Sequence, residues 1–345
     1  MEKKNKEKVL LGMSGGVDSS VTAHILKKQG YDVIGAYMQL WAKEPNKDAK
    51  EVTEKLGIPF YIFDMQKQFK QYVINYFISE YQNGRTPNPC VACNRYIKFG
   101  ALLDKANELG IEYLATGHYA RIEEVDNRYL LKKARDETKD QTYFLYTLNQ
   151  TQLSKSIFPL GEYKKKKIRE IAKEIGLEVS SKPDSQEICF IKDNDHYSFI
   201  QEYGSQKEKK GDIIDKQVNI LGYHDGLSKF TIGQRRGLGV ITGKPMYVVD
   251  LEANTNRVVL GSNRDLFEKE LVANTLNWIS IDRLEKSLKV KAKIRSQATQ
   301  SDCTITPIDK KSVRVTFDKP QRAITKGQSI VFYDNDYVLG GGVIS

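Results

Sequence analysis

Apolar positions in the first third of the chain form short runs separated by helical periods. Lys8–Met13 (KVLLGM) is an apolar run that ends on Gly-Ser-Gly-Gly and predicts a buried strand. Ser19–Lys28 has apolar residues at helical spacing, with Gly30 just beyond as a stop signal. The alternation continues with a strand at Asp32–Tyr37, a helix at Asp48–Leu56 closed by Gly57, a strand at Pro59–Phe63 and a long amphipathic helix at Gln66–Glu80. Past a Pro-rich loop, Asn94–Leu109 is helical and stops at Gly110, and Tyr113–Thr116 is a fourth strand. Such strand–helix–strand repetition predicts an α/β fold, a parallel sheet with helices on both faces.

The period then changes. Arg121–Lys133 predicts a hairpin turning at Asp126-Asn127, and Lys164–Ile175 a helix with Gly176 past its end. The lysine tract Lys164–Lys167 reads as the solvated face of that helix rather than a phosphate contact. Gly204–Gly222 is charged and Gly-interrupted, which suits a boundary. From Met246 on the pattern shows only short alternating strands: Met246–Leu251, Arg257–Leu260, Val290–Ile294, Cys303–Ile305, Val313–Phe317, Ser329–Tyr333 and Tyr337–Ile344. That spacing predicts a small closed β-barrel. The expected division is an α/β domain over 1–200, a small central domain over 201–268 and a C-terminal β-barrel over 269–345.

Composition narrows the class. The 345 residues carry 54 Lys+Arg against 44 Asp+Glu, a net charge of +10, which favours a polyanionic partner such as nucleic acid. The 19 Tyr and 13 Phe lean the same way, because aromatic rings stack on unpaired bases, although most will be core. No apolar run is long enough to span a membrane, and Met1–Lys8 is charged with no apolar stretch behind it, unlike a secretory leader. Four cysteines (Cys90, Cys93, Cys189, Cys303) are too few for a disulfide scaffold and fit a reducing cytoplasm.

The sharpest motif is Gly12-Met13-Ser14-Gly15-Gly16-Val17-Asp18-Ser19, between a strand and a helix. Adjacent glycines let the backbone approach an anion, and the helix start adds free N–H groups and a positive dipole end. Ser14 and Ser19 offer hydroxyl donors; the acidic Asp18 suits a role in holding Mg²⁺ or in fixing the loop. No Gly-Lys-Ser/Thr follows, so this is not a Walker A loop. It resembles the PP-loop of ATP pyrophosphatases, which implies cleavage of ATP between its α and β phosphates and adenylation of a substrate oxygen.

A second motif is Thr86-Pro87-Asn88-Pro89-Cys90-Val91-Ala92-Cys93-Asn94. Cys93 falls at the predicted start of the helix Asn94–Leu109, where the dipole would lower its thiol pKa. The C-x-x-C spacing alone allows half a zinc site, a redox dithiol or two ligands of an iron–sulfur cluster. Cys189, in Ser185–Ile191, reads as a core cysteine on a short apolar strand, and Cys303 as a core residue of the barrel.

Taken together, several segments resemble the bacterial tRNA-specific 2-thiouridine synthases: Gly12–Ser19, NPCVACNRYIKF (Asn88–Phe99), ATGHYAR (Ala115–Arg121), KDQTYFL (Lys139–Leu145), FPLG (Phe158–Gly161), KPDSQEICFI (Lys182–Ile191), TIGQRRGLG (Thr231–Gly239) and the tail from Gly327. The resemblance implies ATP at Gly12–Ser19, with Met38 and Gly117 beside the adenosine. It implies adenylation of O2 of the wobble uridine in Lys, Glu and Gln tRNAs. Sulfur carried on Cys189 as a persulfide, from a cysteine desulfurase or relay protein, would then displace AMP, with Cys93 releasing it or forming a disulfide with Cys189. It places Asn88, Pro89 and Cys90 at the target base, and His118, Lys139, Asp140, Gln141, Arg295, Ser296 and Gln328 at tRNA. In many relatives Asp stands where this chain has Cys90. Three thiols therefore open a second route, a [4Fe–4S] cluster on Cys90, Cys93 and Cys189. Three other readings compete: a PP-loop enzyme acting on a small molecule, an RNA-binding protein with a degenerate nucleotide site, and a paralogue that thiolates another RNA position.

Overall fold

The computed structural model describes residues 6–41, 47–177, 188–191, 193, 195–241 and 243–345. Residues 182–187 of the KPDSQEICFI segment lie outside them. The first sheet has five parallel strands, in the spatial order Phe60–Asp64, Asp32–Gln39, Lys8–Gly12, Tyr113–Ala115, Ser156–Ile157. Val9, Leu10 and Leu11 of the central strand are sealed from solvent on both faces, as an unalternating apolar run requires in a helix-covered parallel sheet. Successive strands run outward on one side of Lys8–Gly12 and then restart on its other side. The crevice at the carboxyl ends of Lys8–Gly12 and Tyr113–Ala115 is thus the switch point where open α/β sheets bind ligands.

Two helical stretches cover one face. Residues 66–82 and 89–108 each contain a π-helical segment, Lys70–Ile74 and Cys93–Ala101. Widening a helix by one residue per turn re-aims the side chains along it and recurs at functional sites. Gly100 has room for this geometry, since a Cβ there would sit 3.1 Å from the Arg95 carbonyl oxygen.

The hairpin forms as expected, Ala120–Val125 against Arg128–Lys133, with Asp126 and Asn127 both at positive φ (50° and 61°), the tight turn favoured between twisted strands. The strands from Met246 on do not all enter one barrel. Tyr247–Glu252 and Arg257–Gly261 join Gly211–Asp215 and Ile220–His224 in a separate four-stranded sheet, two of whose strands lie in the stretch read as a boundary. The barrel closes with six strands: Phe267–Trp278, Val313–Arg322, Ser301–Pro307, Leu288–Lys293, Ser329–Asp334 and Tyr337–Ile344, the last pairing back onto the first. Alternate residues fill it, among them Val290, Ala292, Cys303, Ile305, Val315, Phe317, Ile330 and Phe332. The hairpin of the first domain extends this sheet through Tyr337 against Lys132.

Candidate active site

The loop Gly12–Ser19 leaves the central strand at the switch point. Gly15 is at φ +78°, where a side chain would be strained, and Gly16 caps the helix Val17–Lys28 with no side-chain bond. The first N–H groups of that helix are thus not consumed by a capping side chain. The hydroxyls of Ser14 and Ser19 lie 3.3 Å apart, the Ser14 N–H donates to Ser19 Oγ (3.3 Å), and Ser19 donates to the Gly16 carbonyl (3.2 Å). The two serines hold the loop's curl. Gly117 follows the neighbouring strand, and a Cβ there would meet the Ser19 nitrogen and the Asp18 carbonyl carbon at 3.1 Å. Met38 stands half-buried on the adjacent strand Asp32–Gln39.

Asp18 is fixed by two residues that sequence reasoning missed. Lys165 Nζ donates to both its carboxylate oxygens at 2.8 Å, and the Tyr119 hydroxyl donates to Oδ1 at 2.8 Å. These bonds tie Asp18 to the helix Lys165–Glu174 and to Tyr119. The lysine tract is corrected accordingly. Lys165 is 8% exposed and shares the buried face of the helix Lys165–Glu174 with Ile168 and Ala172. The spacing 165, 168, 172 is the signal that could have placed it, because it marks an inward helical stripe.

The cysteine loop is also corrected. The helix starts at Pro89, with Asn88 as its cap and the Asn88 side chain accepting from the Cys90 N–H (3.1 Å). Pro at the first helical position has no N–H to leave unsatisfied. Cys90, not Cys93, therefore occupies the first turn. Cys93 lies a turn deeper in the core, and burial pushes its thiol up to about 12, outweighing any help from the dipole. Cys90 is exposed, yet the surrounding protein raises its thiol as well. Cys189 is exposed in a turn rather than on a strand, and burial of its sulfur again raises the thiol. All four cysteines are free.

One charge is felt by all three thiols. The Lys98 ammonium, on the π-helical segment Cys93–Ala101, opposes burial at Cys90, Cys93 and Cys189, and each of Cys90 and Cys93 also feels Cys189. The same charge helps burial to hold His118 well below its usual pKa range, so the imidazole is neutral. His118 bonds Thr116 Oγ1 at 2.7 Å and packs between Phe99 and Phe158.

The remaining tRNA positions divide. Asp140 accepts from the Ala134 N–H and the Thr142 hydroxyl (3.1 and 2.6 Å), and burial raises its carboxyl. Gln141 is tied to Tyr119 in both directions, accepting its N–H at its side chain and donating its own N–H to the Tyr119 carbonyl, both at 2.9 Å. Both side chains are engaged within the first domain, and Gln141 holds the Tyr119 that reaches Asp18. Lys139 ends a short 3₁₀ turn and is half-buried. Arg295 and Ser296 lie half-buried on the barrel, with Arg295 donating to the Ala323 carbonyl. Gln328 donates to the Thr86 carbonyl at 2.8 Å, so the barrel braces the chain just before Asn88 and Pro89.

A Gly-Gly phosphate loop at the switch point of a five-stranded parallel sheet, followed by a central sheet and a barrel, defines an ATP-utilising chain of the PP-loop class. The family model of the tRNA methyl transferase HUP domain matches residues 7–193, that of the tRNA methyl transferase PRC-barrel domain 197–262, and that of the aminomethyltransferase β-barrel domain 268–344. A tRNA-specific 2-thiouridylase of Clostridium botulinum (strain Okra) is 54% identical, covering 98% of this chain and 99% of that protein. One of Clostridium tetani is 53% identical over the same shares. The chain belongs to the tRNA-specific 2-thiouridylase family. Among solved structures, a 4-thiouridine synthetase–RNA complex with bound ATP aligns with 53% of this chain and 45% of that one, at 19% identity and a TM-score of 0.36.

Proposed function

We propose that this protein carries out ATP-dependent 2-thiolation of the wobble uridine of tRNA. The observation that carries the reading is a Gly-Gly loop at the switch point of the parallel sheet in a chain whose cysteines are all free, with Cys90 and Cys189 exposed. In the first step O2 of the uridine attacks the α-phosphorus of ATP, and pyrophosphate leaves. Asp18, held by Lys165 and Tyr119, keeps the loop curled around the phosphates; Mg²⁺ enters with ATP as its counter-charge. AMP is then a good leaving group at C2, and a neutral His118 leaves the pocket without a second competing cation.

The terminal sulfur of a Cys189 persulfide attacks C2 and AMP departs. A second thiol attacks the Cys189 sulfur, breaking the S–S bond to release 2-thiouridine and leaving a protein disulfide for an external dithiol to reduce. Exposure of Cys189 suits reception of sulfur from a desulfurase or relay protein. A [4Fe–4S] cluster would take Cys90, Cys93 and Cys189 as ligands and supply an open iron for sulfide. Among the described residues no three His, Cys, Asp or Glu are arranged to hold a metal, so no step is routed through a cluster. Lys139, Arg295 and Ser296 are proposed tRNA contacts, Asn88, Pro89 and Cys90 border the target base, and a cytoplasmic location fits the substrate.

The test is 2-thiouridine formation in tRNA for Lys, Glu and Gln with ATP, a cysteine desulfurase and cysteine, on protein purified without oxygen and assayed for iron and acid-labile sulfide. Thiolation by iron-free protein supports the persulfide route. Thiolation that tracks about four iron per chain replaces it with the cluster. AMP release without tRNA, and no thiolated product, would return the chain to small-molecule chemistry.

A further inference from the structure

Away from the nucleotide loop, a cleft of about 670 Å³ opens between the helical stretches 66–82 and 89–108 and the end of the barrel. Its wall includes Tyr72, Asn88, Arg95, Tyr96 and Thr147. The rings of Tyr72 and Tyr96 are stacked, with centroids 5.0 Å apart and planes 18° from parallel, yet the two residues are 41% and 39% exposed. Packed aromatic pairs usually bury their faces, so a stacked pair left open in a cleft is a surface ready to accept a third ring. The Arg95 guanidinium lies 5.2 Å from the Tyr96 centroid, and among the described residues it has no carboxylate partner. Arg85 in the same cleft is spoken for, donating to both oxygens of Glu80. The Thr147 hydroxyl is buried with no hydrogen-bond partner.

An aromatic platform with an uncommitted arginine is the chemistry that holds single-stranded nucleotides: the ring takes the base and the guanidinium the phosphate. Asn88 joins this cleft to the thiols, because it lines the wall and also caps the helix turn that carries Cys90. We propose that the cleft binds an unpaired nucleotide adjacent to the target uridine, its base stacked on the Tyr72–Tyr96 pair and its phosphate met by Arg95. The inference rests on the thiolation reading and adds a second RNA subsite to it. A base held here pulls the backbone toward Asn88, which helps to splay the neighbouring uridine out toward the thiols.

The experiment uses the full chain and a synthetic anticodon stem–loop carrying 2-aminopurine immediately 5′ or 3′ of the target uridine. Binding to the unaltered protein should quench fluorescence at one of the two positions. Tyr96→Ala and Tyr72→Ala should each abolish the quench and weaken binding roughly tenfold, the scale of one lost base–aromatic stack. Tyr96→Phe, which keeps the ring, should restore both. Arg95→Ala should weaken binding and reduce the salt slope by about one. Unaltered protein that binds and thiolates the stem–loop with no quench at either position, or alanine variants that bind as tightly, would overturn the subsite. Unaltered protein that neither binds nor thiolates the RNA would instead overturn the functional reading beneath it.

Discussion

At the scale of single residues, the site is governed by where charge is buried. The Asp18–Lys165 pair is one such place: the Lys165 side chain is 10% exposed and that of Asp18 33%. Lys165→Met leaves the carboxylate facing only Tyr119. With a third of Asp18 still in contact with water, the expected cost is about 1–2 kcal/mol rather than the roughly 3–5 of a sealed pair, read by urea unfolding. Because Asp18 sits in the second position of the helix proposed to receive phosphate, the same variant, like Asp18→Ala, should lose tRNA-dependent AMP release; turnover at the unaltered rate would remove both residues from the nucleotide site. The thiols give a second prediction. Iodoacetamide at pH 8 should label Cys90 and Cys189 in the folded protein, and Cys93 and Cys303 only after denaturation, as read by peptide mass spectrometry. Lys98→Met should slow labelling of the two exposed thiols severalfold, because the ammonium that favours their thiolates is gone. Unchanged rates would mean that Lys98 does not set their reactivity.

At the scale of elements, much of the chain was legible because its periods are clean. The four unbroken apolar runs of the first sheet and the Asp126-Asn127 turn identify themselves from local chemistry. The strand Phe267–Trp278 did not. It opens with mostly exposed residues, and Thr275, at φ +52°, breaks its register against Tyr337–Ile344, so no alternation survives in the sequence. Gly211–Asp215 carries only Ile213 and Ile214 as apolar residues and reads as a linker until its neighbours cover it. Among site residues, the phosphate loop was legible as a contiguous motif. The roles of Tyr119, Lys165 and Lys98 were not, because each depends on a neighbour distant in sequence or on depth within a π-widened helix. Cys303 was read correctly as core, and its burial predicts that the barrel weakens in alkali. Burial, with smaller contributions from Asp318 and Asp302, pushes its thiol up to about 12, well above the ordinary thiol range. The unfolded thiol therefore ionises first, and stability present below pH 9 is lost as pH rises toward 12. Cys303→Val should remove roughly 1 kcal/mol of the decline between pH 8 and 10, measured as the difference in urea unfolding free energy. An unaltered decline would place the alkaline weakness elsewhere.

At the scale of the whole molecule, the first domain and the barrel share one packed seam. Tyr143 reaches from the first domain to donate to the Ser329 carbonyl at 2.7 Å, and Tyr146 donates to the Gly342 carbonyl at 3.2 Å. In return Asn277 of the barrel donates to the carbonyls of Tyr146 and Leu148 at 2.7 and 3.0 Å, and Gln328 braces the loop before Asn88. Backbone carbonyls answered across a buried seam tie the two folds together, since neither could separate without exposing unpaired polar groups. The chain should therefore melt in one calorimetric transition that includes both. Gly341 tests this. A Cβ there would lie 2.6 Å from the Tyr146 ring and 2.6 Å from the Ile330 carbonyl oxygen, so Gly341→Ala must push the seam apart. Overpacking of this kind costs about 1–3 kcal/mol. Because the strain falls on the contact between domains, it should also separate the melting of the barrel from that of the phosphate-loop domain. It should raise the KM for tRNA, which spans the seam in the proposed reading, more than the KM for ATP, which lies within one domain. A single transition at unchanged temperature, with both KM values intact, would show that the seam accommodates the added methyl group and that the Gly341 contact does not set the coupling between the domains.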